Sequence, residues 1–291
     1  MSMSREIQVL HLESTDVCQA ACPLCPREIN PEFDPKYRHH LTMDQILHVF
    51  DEDQIRSLDK MYMCGNYGDP AAGYYTLDIY RAFREINPDI ILGMNSNGGL
   101  QSTFWWHELG SIINREQDYV VFSIDGLEDT NSIYRVNVNW DKVMANAEAF
   151  IAAGGKAHWD MLIYRHNQHQ VDEAQALAQK MGFSWFRAKV SKRTPVKGLD
   201  YPIGWQLPRV ESTTINCYAL NEKSAYIDTY GRLHPCCWLG NRLAHQAPVD
   251  FVEIQQSWTT SNPEPVCQRN CSSKDEGTSF TNQWQRNIEL K

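Results

Sequence analysis

Residues 14–28 read STDVCQAACPLCPRE and place Cys18, Cys22 and Cys25 at CxxxCxxC spacing, just after a predicted strand over Gln8–Val17. Three thiols on one short loop can close around one metal centre, and no fourth ligand lies nearby in sequence. A structural zinc normally takes four protein ligands, and a cubane iron–sulfur cluster normally takes four cysteines. Three therefore point to a 4Fe-4S cluster with one iron left open to a small molecule. A zinc knuckle completed from a distance, for example by His11, is the competing reading.

With 291 residues the chain has room for one or two domains and a substantial core. Hydrophobic residues at 42% and charged residues at 22% are an ordinary globular balance and argue against disorder. The net charge of −9 speaks against a broad nucleic-acid footprint. Lys189–Lys197 (KVSKRTPVK) is the one basic run, and it reads as a solvated strand end and linker. No apolar run is long enough to span a bilayer and MSMSREIQ has no signal-peptide core, so a cytoplasmic protein is expected. Nine cysteines, odd in number and clustered at both ends, suit metal ligation in a reducing compartment better than disulfides.

Outward from the loop, strand-like and helix-like segments alternate. Thr42 and Gln45 form a capping-box pattern ahead of a helical face of Met43, Ile46, Leu47 and Phe50. Further strands are predicted over Lys60–Cys64, Ile90–Asn95, Tyr119–Ile124, Ala157–Tyr164 and Trp185–Val190. Helices are predicted over Tyr75–Ile86, Phe104–Ile113, Lys142–Ala153 and Val171–Met181, the second packing through Trp105, Leu109 and Ile112. This is α/β patterning with parallel βα units. A full eight-unit barrel needs about 250 residues, so a partial (β/α)6 TIM-like barrel over residues 1–195 is expected. Ser191–Arg209, rich in Pro and Gly, reads as a linker to a small cysteine-rich α+β domain over 196–291.

CxxxCxxC after a first strand resembles the signature of the radical S-adenosylmethionine (radical SAM) superfamily, whose core is a partial barrel of this kind. The resemblance implies that Cys18, Cys22 and Cys25 hold the cluster and that SAM occupies its open iron. Cys64–Pro70 (CGNYGDP) resembles the family's glycine-rich motif, which gives Gly65, Asn66, Gly68 and Asp69 to SAM, with Asp69 in place of the usual Glu. Asn95–Gly99 (NSNGG) is similar to a TNG turn and contributes Asn97; Phe122–Gly126 (FSIDG) contributes Ser123 and Asp125. Arg135 is then expected to pair with the SAM carboxylate and Asn167 to contact ribose. Read alone, each could be an ordinary polar turn.

In the last third, Cys217, thirteen residues, Gly231, four residues and Cys236 resemble the opening of a SPASM domain, with a β-hairpin around Gly231. Too few cysteines follow for a full SPASM domain, so the resemblance implies the shorter Twitch form, with an auxiliary 4Fe-4S cluster on Cys217, Cys236, Cys267 and Cys271. Cys237 could replace Cys236, and four thiolates could equally hold zinc. Cys64 and Cys237 are either hydrogen donors to a substrate radical or buried structural thiols. His166 and His169 read as solvated polar residues at a helix start; Tyr67 and Trp238 either line a pocket or pack. Phe280 and Trp284 are expected to pack the tail on the barrel.

By family mechanism, a flavodoxin- or ferredoxin-type donor would reduce the first cluster. SAM would then yield a 5′-deoxyadenosyl radical that abstracts hydrogen from a substrate. A peptide or protein substrate, as for a maturase, is expected. A small-molecule dehydrogenase (aminocyclitol or sugar-like) is the alternative within the family, and a non-catalytic zinc-binding module the alternative outside it.

Overall fold

The computed structural model describes residues 6–30, 36, 38–191, 193–205, 214–242, 250–272 and 288–289. Six parallel strands succeed one another in chain order: β1 (Val9–Leu12), β2 (Lys60–Met63), β3 (Ile91–Ser96), β4 (Tyr119–Ser123), β5 (Ala157–Ile163) and β6 (Trp185–Val190). Helices Met43–Val49, Thr76–Ile86, Thr103–Ile112, Trp140–Ala152 and Val171–Met181 connect them, as expected for a partial (β/α)6 barrel. Alternation along the strands separates two environments. Leu10, Leu12, Met61, Met63, Leu92 and Met94 face the helices and belong to the main core. Their neighbours His11, Tyr62, Asp160 and Arg187 take the opposite face, where Tyr119, Val121 and Trp185 form a small separate cluster.

The hairpin β7 (Ser224–Ile227) and β8 (Leu233–His234) continues the sheet. β7 pairs in parallel with β1, His11 opposite Tyr226, and β9 (Ile288–Glu289) pairs antiparallel with β6. The described sheet therefore has nine strands, in the order β8-β7-β1-β2-β3-β4-β5-β6-β9. A small separate core of Leu239, Ile254 and Cys267 ties the helices Cys237–Arg242, Phe251–Ser257 and Pro265–Cys271 together. The segment read as a linker is tied to the barrel, since Arg165 N–H donates to Asp200 O at 2.9 Å and Leu199 is buried. Phe280 and Trp284 lie outside the described residues.

Three local expectations need correction. The first strand ends at Leu12 instead of Val17: Leu41 N–H donates to Ser14 O at 2.9 Å and Thr15 bridges to His40, so the backbone leaves β2. A second short helix, Glu52–Arg56, capped by Asp51, follows the Thr42 capping box. The fully buried indole on the third predicted helix is Trp106, while Trp105 is half-buried. Trp106 Nε1 donates to Leu100 O at 2.9 Å, which satisfies its polar end while the ring packs on Phe122.

Candidate functional site

The cluster loop sits over the carboxyl ends of the parallel strands, the position at which such folds build their sites. Cys18, Cys22 and Cys25 are half-buried or buried free thiols. Burial, followed by the charge of Asp69, pushes Cys18 up to about 12, and burial raises Cys22 and Cys25. Each would repel its neighbours as a thiolate. A trio of shielded thiols in mutual reach needs a cation to ionise, and this donor set fits a cluster. Among the described residues no three His, Cys, Asp or Glu side chains converge as around a single metal ion. A four-iron cluster spreads its thiolates over separate irons.

Ala20 N–H and Asn97 Nδ2 point at Cys18 Sγ, at 3.4 and 3.7 Å, and Arg135 Nη1 stands 3.9 Å from Cys22 Sγ. Hydrogen bonds of this kind tune cluster thiolates. His11, the alternative fourth ligand, is turned elsewhere. Its Nε2 bonds the Cys64 carbonyl, its ring lies between Tyr62 and Tyr226, and burial lowers it to about 4, so it is neutral.

The turn at residues 65–68 packs directly on this loop. A Cβ on Gly68 would lie 1.9 Å from Thr15 O, and one on Gly65 would lie 1.9 Å from Gly68 O, so both positions demand glycine. Asp69 ends the turn with a saturated carboxylate. It accepts from Ala71 N at 2.9 Å, Ser96 Oγ at 2.8 Å, Asn97 N at 2.8 Å and Asn97 Nδ2 at 2.6 Å. Burial raises its pKa against the pull of these donors. Asn97 Oδ1 in turn accepts from Gln19 Nε2 at 2.7 Å and Gly99 N at 2.9 Å. Asp69 and Asn97 thus lock the turns after β2 and β3 to the cluster loop.

Asp125 plays the same part after β4. It is fully buried, accepts from Leu162 N at 2.6 Å, and pairs with Arg135 Nε at 2.6 Å. Burial opposes the Arg135 charge, but Asp125 and Cys22 outweigh it, and the guanidinium stays ionised. Asn167 is also fully buried: its amide donates to Asp125 O at 2.8 Å and Leu162 O at 2.9 Å, and accepts from Tyr164 N at 2.7 Å. Ser123 is half-buried at the end of β4, opposite Asp160.

The basic run is only partly solvated. Lys189 Nζ lies 3.0 Å from Asp160 Oδ2, and Arg187 donates to both oxygens of the same carboxylate, to Oδ1 at 2.8 Å and Oδ2 at 2.5 Å. Arg193 donates to Leu24 O within the cluster loop. Cys64 closes β2 on the concave side, where burial pushes it up to about 12 with Glu13 and Asp69 as charged neighbours. His166 stacks on Tyr164, and His169 is exposed. Asn30 Nδ2 donates to the hydroxyl of buried Tyr67, and Trp238 is half-buried.

In the C-terminal region, Asn216 N–H donates to Cys271 O at 2.8 Å and brings Cys217 beside Cys271. Burial and then charged thiol neighbours raise Cys236 (Cys237 first, then Cys217 and Cys267) and Cys271 (Cys217, Cys236 and Cys267). Cys237 also meets a second set of partners. It lies 3.4 Å from the Tyr218 hydroxyl and within electrostatic reach of Cys64 and Glu13. Glu13 itself, which no motif marks, is buried under the residue 65–68 turn.

A family model described as the radical SAM superfamily matches residues 12–178. Among solved structures, SuiB of Streptococcus suis bound to precursor peptide SuiA aligns with a TM-score of 0.59 at 14% identity, covering 90% of this chain and 66% of SuiB. SuiB bound to S-adenosylmethionine aligns with a TM-score of 0.56 at 14% identity, covering 88% and 66%. Native anSMEcpe with bound AdoMet and Cp18Cys peptide aligns with a TM-score of 0.56 at 13% identity, covering 79% and 74%. At such identities the likeness is one of fold, and the chain spans slightly less than two thirds of SuiB. No curated protein matches the chain by sequence. No helix among the described residues is long and apolar enough to cross a membrane.

Proposed function

The chain belongs to the radical SAM superfamily, and from that premise we propose a maturase-type enzyme that removes hydrogen from a peptide or protein substrate. Membership implies SAM and one 4Fe-4S cluster. The observation that carries the assignment of residues is the meeting of three strand-end turns on the CxxxCxxC loop, through Gly68, Asn97 and Arg135. Cys18, Cys22 and Cys25 would hold the cluster. When bound, cluster and SAM together supply a 5′-deoxyadenosyl radical able to take hydrogen from an unactivated C–H bond.

The chain's own residues bind and orient. Arg135, kept charged by Asp125, offers its remaining N–H groups to the SAM carboxylate. The backbone of Gly65, Asn66 and Gly68 cradles the amino group, and Ser123 borders the same cleft. Asp69, Asn97, Asp125 and Asn167 shape the SAM site by holding its turns, since their polar atoms are engaged within the chain. Residues 196–291 form a Twitch/SPASM-like extension of the core at 1–195, with Cys217, Cys236, Cys267 and Cys271 around an auxiliary 4Fe-4S cluster. Cys237, against the Tyr218 hydroxyl, and Cys64 border the substrate space, where a thiol can give a hydrogen atom to a substrate radical. The resulting thiyl recovers one electron from the same external flavodoxin- or ferredoxin-type donor that serves the first cluster, and one proton from water.

Solved structures of this fold hold peptides, SuiA on SuiB and Cp18Cys on anSMEcpe, which favours a peptide substrate over a small molecule. Incubation with deuterated candidate peptides and metabolites, followed by mass analysis of 5′-deoxyadenosine, tests the reading. Label from a peptide is expected. Label only from a metabolite would move the assignment to a small-molecule dehydrogenase. Zinc in both sites after anaerobic, iron-replete purification would leave a non-catalytic metal module.

A further inference from the structure

Glu13 follows β1 and is 2% exposed. Its Oε1 accepts from Tyr67 N at 2.7 Å and Gly68 N at 3.3 Å. Its Oε2 accepts from the hydroxyl of Tyr226 on β7 in a short hydrogen bond. That hydroxyl also faces Asn66 Nδ2 at 3.3 Å, and the same amide donates to Cys237 O at 3.1 Å. With its proton given to Glu13, the Tyr226 oxygen can only accept from Asn66. The donors therefore run one way, from Asn66 through Tyr226 to Glu13, while Tyr67 and Gly68 donate to the same carboxylate.

A turn containing Gly65 and Gly68 has little conformational preference of its own and loses much entropy on ordering. Residues 66–68 are held by a buried carboxylate on one side and, at Asn66, by a hydroxyl from a strand 160 residues away on the other. That strand opens the hairpin leading to Cys236 and Cys237.

We propose that Glu13 and Tyr226 are a positioning pair through which the C-terminal hairpin sets the SAM-binding turn, an inference that rests on assigning residues 65–68 to SAM. SAM is then held tightly only when the hairpin is seated on β1. The groups facing Glu13 are Tyr226 from β7, Asp228 from the hairpin turn, Cys64 just after β2 and Cys237 from the helix after the hairpin. Asp228 is itself paired with Arg232 and His234, at 2.7 and 2.9 Å. Burial raises the Glu13 carboxyl to about 7, so the chain of donors is complete above neutrality and weakens below it.

The test is equilibrium dialysis of labelled SAM against the full, cluster-reconstituted chain between about pH 6 and 8. Tyr226→Phe is expected to weaken SAM binding roughly tenfold above neutrality, at unchanged iron content and far-ultraviolet circular dichroism. Asn66→Ala should weaken it comparably, and the double variant should be no weaker than either single one. Glu13→Gln keeps an oxygen for Tyr67 and Gly68 and should flatten the pH dependence. Wild-type affinity in Tyr226→Phe, additive losses in the double variant, or an unchanged pH profile in Glu13→Gln would each overturn the inference while leaving the SAM assignment intact. Failure of the wild type to bind SAM would overturn both.

Discussion

The two cysteine regions are built on opposite plans. Cys18, Cys22 and Cys25 lie on one loop, and three neighbouring turns converge on its inner side, so the donor set is local while its surroundings come from distant strands. Cys217, Cys236, Cys267 and Cys271 come from three places in the chain, the last two from one helix, and lie by a small core of Leu239 and Ile254. Both groups mix buried and half-buried thiols, Cys22 being the buried one in the first and Cys217 and Cys267 in the second.

Breaking the first region should have the largest effect. Replacing Cys18, Cys22 and Cys25 by alanine is expected to abolish 5′-deoxyadenosine release, measured by chromatography under reducing, anaerobic conditions. Cys217→Ala sharpens the contrast: it should retain the first cluster and reductive SAM cleavage but lose substrate turnover, with iron content falling by about half. Cys237→Ala should keep all of its iron, since that thiol sits against the Tyr218 hydroxyl and near Cys64 and Glu13. Arg135→Ala should weaken SAM binding by roughly 10–100-fold. Arg135→Lys should not restore it, since one ammonium cannot both pair with Asp125 and reach across Cys22.

A separate effect concerns stability. Glu13 has a folded pKa of about 7 against an ordinary 4.5, raised by burial. The sign follows directly: its contribution is full below the unfolded value and is lost as pH rises through about 7. A loss of about 3 kcal/mol is expected over that window for so buried a group. Glu13→Gln should remove this slope, as read by thermal unfolding at a series of pH values.

Much of the barrel was legible because its signals are local. The Thr42 capping box forms as its residues dictate, Gln45 N to Thr42 Oγ1 at 3.2 Å and Thr42 N to Gln45 Oε1 at 2.9 Å. Where patterns competed, packing decided. Trp106 lies inside because Leu100 O can receive its N–H, although Trp105 fits the helical stripe as well. β1 stops early because residues 14–15 find backbone partners in residues 39–41, which periodicity does not see.

The amino-acid sequence by itself determined which thiols stand at ligand spacing and how strands and helices alternate, since both follow from neighbours a few residues apart. Only the tertiary structure decided that Cys237 meets the Tyr218 hydroxyl, that Asp69 and Asn167 are engaged within the chain, and that Glu13 meets Tyr226. Those outcomes depend on β7 settling against β1, a pairing between segments more than two hundred residues apart. No local pattern carries it, because the same alternation would suit any edge of the sheet.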